Sequence, residues 1–450
     1  MLPTLNALLT QLADGRIDAR GLLATCVARI ERQNGEGPRV FPYGVSAAAA
    51  VQASASDLLR EHGVAGPLAG IPVSVKDLFD VQGEVTRAGA RILPERAATR
   101  DAVAVGRLRA AGAIFVGRTN MTEFAYSGVG INPHYGTPRN PFDRGVGRIP
   151  GGSSSGAGVS VADGMAAVAI GSDTGGSCRI PAALCGTTGF KPTAARISLD
   201  GAVPLSSSYD SIGSMAPSVA CCAAVDAVMA GDPRSIPAPR AVRGLRLAVP
   251  CNVVLEDMDS DVANAYERVL VRLEAAGALL QRIEFASWNQ VAELSSHGGL
   301  VAAEAWAWHV EMIAGHAERY DPRVLSRIRF GSQQSTAEYL RTKARRTTLC
   351  EQAHDELRPF DAVLMPTVPI VAPRIDDLTD ENVFTATNRL LLRNPSIANM
   401  LDLCAVSLPC HENASAPVGV TLMGPHMSDR RLLAAAMGVE ALIREQTGRA

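Results

Sequence analysis

Leu5, Leu8, Leu9 and Leu12, then Leu22, Leu23, Val27 and Ile30, recur at the spacing that puts them on one face of a helix. Gly15 interrupts the series, so residues 3–32 are expected as two amphipathic helices. The alanine-rich stretch 45–62 reads as a third helix. The pattern then changes. Pro67 to Val75 is almost wholly apolar and has the length of a buried strand; it ends on a charge, Lys76. Ala102 to Ala111 reads as a helix stopped by Gly112, and Ile114-Phe115-Val116 as a strand. Val159 to Ile170 reads as a short helix and then a buried strand, divided at Asp163-Gly164. From Gly244 a second section follows the same alternation. Its strands are expected at Leu245–Val249, Leu280–Ile283, Ala362–Met365, Ala405–Leu408 and Val418–Leu422, and its helices at Val262–Ala276, 298–317, 336–357 and Leu432–Glu445. Strands alternating with helices predict an α/β sheet covered on both faces. A chain of 450 residues is long enough for two or three domains, but no long polar or proline-rich linker divides it, so residues 1–450 are expected as a single domain.

The punctuation is densest just before Val159. Ser127 to Gly158 holds nine glycines and four prolines in 32 residues, and long irregular loops in compact domains are usually functional. Leu199 to Ser218, LDGAVPLSSSYDSIGSMAPS, reads as a second, serine-rich loop. Between the two loops lies Gly151 to Thr193, with two glycine-framed serines: Ser153 in GGSSSG and Ser177 in DTGGSCR. A serine becomes a nucleophile only when a base removes its proton and its oxygen can reach a carbonyl. Gly175 and Gly176 precede Ser177, which lets backbone N–H groups crowd a developing oxyanion. The residues that follow, Cys178 to Leu184, read as a helix start, whose dipole favours negative charge there.

The eight histidines pair with neither serine in any recognisable spacing, so the base is sought elsewhere. Lysine and arginine total 43, yet only Lys76, Lys191 and Lys343 are lysine. A buried lysine can become a neutral amine and arginine cannot, so a retained lysine marks a position where basicity matters. Lys343 sits in the helix-like run RTKARR and reads as a solvated charge. Lys191, in GFKPT, reads as a structural cation closing the glycine-rich segment. Lys76 is carried inward by its apolar strand and is the candidate base.

Charge and composition narrow the field. A net charge of −2 gives no case for direct nucleic-acid binding. Aromatic residues are 4% of the chain, so the core is aliphatic and alanine-rich. Nine cysteines without CxxC spacing read as buried thiols in a reducing compartment, Cys178 among them. The N-terminal residues lack a secretory pattern and no stretch is apolar enough for a membrane span, so a cytoplasmic location is expected. HExxH spacing and a phosphate-binding GxxxxGK[ST] loop are absent, and no metal or organic cofactor is expected. Gly152 to Gly156 also fits GxSxG, but the preceding FDRGVGRIPG is not the strand that a nucleophile elbow requires.

Taken together, GIPVSVKD, GGSSSGAG and GSDTGGSCRIPAALCGTTGFKPT resemble the amidase signature family, in the family's order, over about residues 67–217. The resemblance implies one α/β/α sandwich with a central mixed β-sheet, in which residues 1–62 form N-terminal helices and 244–450 complete the sheet and the pocket. It implies a Ser–cis-Ser–Lys triad: Ser177 as nucleophile, Ser153 as the bridging serine after a cis Gly152–Ser153 bond, and Lys76 as terminal base. Thr174, Gly175, Gly176 and Ser177 would offer N–H groups to the oxyanion, and Asp173 and Arg179 would brace the loop. Thr174 stands where many members carry isoleucine. Met121, Tyr126 and Ser154 would lie beside the substrate, with Asp210 and Ser211 on the far side.

The implied activity is hydrolysis of a small carboxylic amide through an acyl-enzyme. Two neighbouring readings compete: the glutaminase subunit of a tRNA-dependent amidotransferase, and a hydrolase of carbamoyl or urea-type amides. The amidotransferase subunits usually carry a GxYxLSxG motif, and the comparable stretch here, Arg329 to Ser335, lacks it, which favours a free-standing amidase. Nothing in the sequence excludes a homodimer.

Overall fold

The structure is a computed structural model that describes residues 1–232 and 236–447. Its ten strands are β1 (Pro72–Lys76), β2 (Ile114–Thr119), β3 (Val168–Ser172), β4 (Thr188–Lys191), β5 (Ile212–Ala216), β6 (Arg246–Pro250), β7 (Leu279–Ile283), β8 (Ala362–Pro366), β9 (Cys404–Pro409) and β10 (Gly419–Gly424). They form one sheet in the order β2-β1-β3-β5-β4-β9-β10-β8-β6-β7. β1 runs parallel to β2 and β3, and β6 parallel to β7 and β8. The pairings through the middle, β3–β5, β5–β4, β4–β9, β9–β10 and β10–β8, are antiparallel. The result is a mixed α/β sheet, and strands from both sections of the chain meet at β4–β9.

Side chains alternate between two apolar layers, as a strand requires. Along β3, Val168 and Ile170 join the large core cluster, while Ala169 turns to the other face and packs with Ala157, Ala182 and Met215. The helices Ser155–Ala162 and Arg179–Cys185 cover that second face. Val219–Ala230 and Asp429–Thr447 cover the first. The β2 edge is closed by the N-terminal region: the Ser46 N–H donates to Val116 O (2.7 Å), and Gln52 Oε1 accepts from the Phe115 N–H (2.8 Å). An edge covered in this way cannot recruit another strand.

Two expectations need correction. Leu199 to Ser218 is not all loop, because it contains β5. That strand is IGSMA, short and partly polar, and its glycine is dictated by close packing in the sheet: a Cβ on Gly213 would lie 2.2 Å from Phe190 O. Tertiary pairing on both sides outweighs the weak local signal. The first punctuated loop ends at Ser154, since the next helix begins at Ser155 rather than Val159. The rest of that loop is ordered by buried asparagines. Asn120 Nδ2 donates to Arg39 O and Gly136 O, Asn132 Nδ2 to Gly89 O and Met121 O, and Asn140 Nδ2 to Ile149 O and Leu184 O. These amides satisfy carbonyls that no strand or helix reaches.

The helix Glu381–Met400 lies outside the elements expected from sequence. Asp380 caps it through the N–H groups of Asn382 and Val383, but Pro395 interrupts its interior and hides the helical pattern. This helix forms one wall of the site.

Candidate active site

β1 delivers Lys76 into the interior, where the side chain is fully buried. Its Nζ donates to Ser153 Oγ and to Ser172 Oγ, both at 2.8 Å. Burial lowers the Lys76 ammonium to about 8, against the opposing pull of negative charge at Asp173 and Asp210. Ser153 is also fully buried, and the Gly152–Ser153 peptide bond is cis. Gly152 is held by its N–H, which donates to Gly128 O at 2.8 Å, and a Cβ there would stand 2.6 Å from the Gly130 nitrogen. Ser172 was not among the residues expected at the site. It lies one residue before Asp173 at the end of β3, and only the parallel β1–β3 pairing shows that it faces Lys76.

The loop Asp173–Ser177 is built around one carboxylate. Asp173 accepts from Arg179 Nε (3.0 Å) and Nη2 (2.9 Å), from Asn399 Nδ2 (2.9 Å), and from the N–H groups of Gly176 (2.9 Å) and Cys178 (3.1 Å). Burial by itself would raise this carboxyl, but the Arg179 guanidinium and these donors hold it well below the usual range. Arg179 is anchored in turn by Pro395 O (2.8 Å) and Asn399 Oδ1 (2.7 Å), both from the helix Glu381–Met400. Gly176 (φ 125°) approaches that helix so closely that a Cβ would meet Pro395 Cγ at 2.7 Å. The expected oxyanion set shrinks as a result. The Gly176 N–H is already given to Asp173, while those of Thr174, Gly175 and Ser177 have no protein acceptor among the described residues.

Ser177 faces a cavity of about 1050 Å³ that is also lined by Tyr126, Ser127, Thr174, Gly175 and Tyr209. Among the described residues its hydroxyl has no protein hydrogen-bond partner, which leaves the oxygen open to the cavity. Two residues expected beside the substrate lie elsewhere. Met121 is packed in the core, behind the backbone of its own segment, and Ser154 is buried beneath the site with its Oγ on Ser172 O at 3.3 Å. Asp210 also stays out of the main cavity and lines a smaller one of about 200 Å³, with Ser172 and Thr174. It accepts the Thr174 hydroxyl at 2.5 Å and the N–H groups of Leu205 and Ser206, and burial raises its carboxyl to about 6. Ser211 is fully buried and exchanges backbone hydrogen bonds with Asp173, so it supports the loop from below.

Lys191 is buried with its Nζ on Pro192 O and Leu403 O, which ties β4 to the start of β9. Lys343 is exposed. Cys178 is fully buried, and burial pushes its thiol well up, which makes it a poor nucleophile. No group of three or more His, Cys, Asp or Glu side chains is arranged to hold a metal among the described residues.

A ten-stranded mixed sheet that presents a buried lysine, two serines and a braced glycine loop at one cavity defines a serine-dependent α/β hydrolase architecture. A sequence profile of the Amidase family matches residues 22–433, and the chain belongs to this family, whose members hydrolyse amides. It is 39% identical to the 2-amino-5-chloromuconic acid deaminase of Comamonas testosteroni, over 95% of this chain and 93% of that one. It is 32% identical to a glutamyl-tRNA(Gln) amidotransferase subunit from Thiobacillus denitrificans, over 96% of this chain and 95% of that one. An amidase of known structure superposes with a TM-score of 0.87 at 32% identity, covering 98% of this chain and 99% of that one. No helix among the described residues is long and apolar enough to cross a membrane.

Proposed function

We propose that this chain hydrolyses a carboxylic amide through an acyl-enzyme on Ser177, with Ser153 and Lys76 relaying the proton. The observation that carries the reading is the Lys76 Nζ, sealed from water, at 2.8 Å from Ser153 Oγ behind the loop that presents Ser177 to the cavity. The neutral amine takes a proton from Ser153 as Ser153 takes one from Ser177, and the Ser177 oxygen bonds to the carbonyl carbon. The N–H groups of Thr174, Gly175 and Ser177 hold the resulting oxyanion. The proton returns through Ser153 to the leaving nitrogen, the C–N bond breaks, and ammonia or an amine departs. Water then attacks the ester, giving its proton to the same relay, and the acid is released. The step needs neither redox chemistry nor an organic cofactor. The one-domain organisation is supported by the single sheet that runs through both halves of the chain.

Replacing Ser177 by alanine is expected to abolish amide hydrolysis. Lys76→Arg keeps the charge but removes the basicity, and is expected to cost about as much, since members of a coupled relay fail together. A fully active Lys76→Arg protein would overturn the relay. The competing amidotransferase reading draws on the similarity to the Thiobacillus protein. Ammonia release by the purified chain alone, in the cytoplasmic pH range, decides for the free-standing amidase; release only with added partner proteins decides for the complex.

A further inference from the structure

The charges on the cavity wall do not cancel. Five charged side chains line it: Glu256, Asp257, Arg327, Arg389 and Arg393. Arg393 is bound to the acidic pair's own segment, through Nη2 to Glu256 O (2.6 Å) and Nη1 to Asp257 Oδ2 (4.0 Å). Glu256 and Asp257 are exposed beside it. Arg327 differs. It lies in the helix Pro322–Phe330, half-buried, with Nη1 on Tyr126 O at 2.7 Å and its guanidinium 5.3 Å from the Phe384 ring centre. Its neighbour one turn earlier, Arg323, covers the same ring but pairs with Glu381 at 2.7 Å. Asp321 is committed as well, since it caps the helix through the Arg323 N–H (2.8 Å). Among the described residues Arg327 therefore has one neutral carbonyl and no ion pair. Arg389, on the facing helix Glu381–Met400, has neither a hydrogen bond nor an ion pair among the described residues.

A guanidinium carries five N–H donors, and withdrawing it from water without a counter-ion is unfavourable. Burial accordingly pulls the Arg327 group below its ordinary value. Such a cation persists at a cavity wall when an anionic ligand completes it. The carbonyl it grips belongs to Tyr126, and Tyr126 lines the same cavity as Ser177. Resting on the acyl-enzyme reading, we propose that the substrate is an acid monoamide: its amide carbonyl meets Ser177 while a carboxylate at its other end is held by Arg327, with Arg389 facing it from the opposite wall. The bidentate fork of arginine suits a carboxylate better than a lysine would. The acyl-enzyme then carries a free carboxylate, and hydrolysis yields a dicarboxylic acid plus ammonia.

The test is a series of acid monoamides of increasing chain length, each matched with its methyl ester and with the neutral primary amide of equal length. Ammonia release gives kcat/KM for each. The wild-type protein is expected to prefer the acid over its matched neutral amide by at least about tenfold, as a charge-assisted pair implies, with one optimal length set by the spacing of Arg327 and Ser177. Arg327→Met is expected to cut the acid-to-neutral ratio by at least about tenfold through KM, and Arg327→Lys to recover part of it. Arg389→Met should lower the ratio in the same direction by less. Equal efficiency on acid and neutral amides, or an unchanged ratio in a folded Arg327→Met protein, overturns the proposal. Calorimetric titration of Ser177→Ala with the dicarboxylic acid separates this inference from the catalytic one. Binding that Arg327→Met abolishes supports the anion site even if no amide is turned over; no binding, or binding that Arg327→Met leaves unchanged, overturns it.

Discussion

Lys76 is held where its charge is disfavoured, and that sets the pH behaviour. The base is the neutral amine, so activity requires deprotonation. With the ammonium lowered to about 8 by burial, kcat/KM is expected to rise with pH through that region and level off above it. A pH profile of ammonia release that is flat from neutrality upward would contradict the assignment. Asp173 works in the opposite sense, since its ionised form organises the loop through Arg179, Asn399 and two backbone N–H groups. Asp173→Asn leaves Arg179 buried and unpaired. It is expected to destabilise the protein by about 3–5 kcal/mol, read as a lower urea midpoint, and to lower activity by loosening the Ser177 loop.

Each element sets one part of the site: β1 aims Lys76, β3 aims Ser172, and the helix Arg179–Cys185 begins next to Ser177. The helix Glu381–Met400 contributes at several points. Asn388 Oδ1 accepts from Ser127 Oγ and the Gly128 N–H, Pro395 covers Gly176, and Asn399 completes the Asp173–Arg179 pair. β5 is the least tolerant element. In Gly213→Ala the new methyl would stand 2.2 Å from Phe190 O, so β4 and β5 have to separate. The expected cost is about 3 kcal/mol, the upper end of what overpacking typically costs, visible as a drop in melting temperature. An unchanged melt would mean that the β4–β5 pairing is looser than this geometry.

Across the whole molecule, the sheet joins the two sections through the antiparallel pairs Gly189–Ser407, Phe190–Val406 and Lys191–Ala405. The first section therefore has no finished edge of its own. A fragment ending at residue 232 exposes the outer row of β4 and loses Asn399, Pro395 and the cavity wall. It is expected to aggregate or to melt without cooperativity, as followed by sedimentation and calorimetry. A soluble, cooperatively folding fragment would show that the two sections are separable. The cavity draws on both sections as well, with Ser177 and Tyr126 from the first and Trp288, Arg327 and Arg389 from the second.

The sequence alone determined the chemistry that is written locally. A glycine-framed serine, a second serine in GGSSSG and a lysine kept among arginines identified the reacting groups, and period-two and helical patterns located most strands and helices. Local patterns persist because strand pleat and helix pitch act over a few residues. Only the tertiary structure decided what depends on contacts across hundreds of residues. Ser172 met Lys76 through strand pairing, Gly176 lost its free N–H to Asp173, Met121 and Ser154 went into the interior, and a proline-interrupted helix became the wall that carries Arg389. None of these leaves a periodic trace, because each is set by which surfaces meet when the sheet closes and not by the residues on either side.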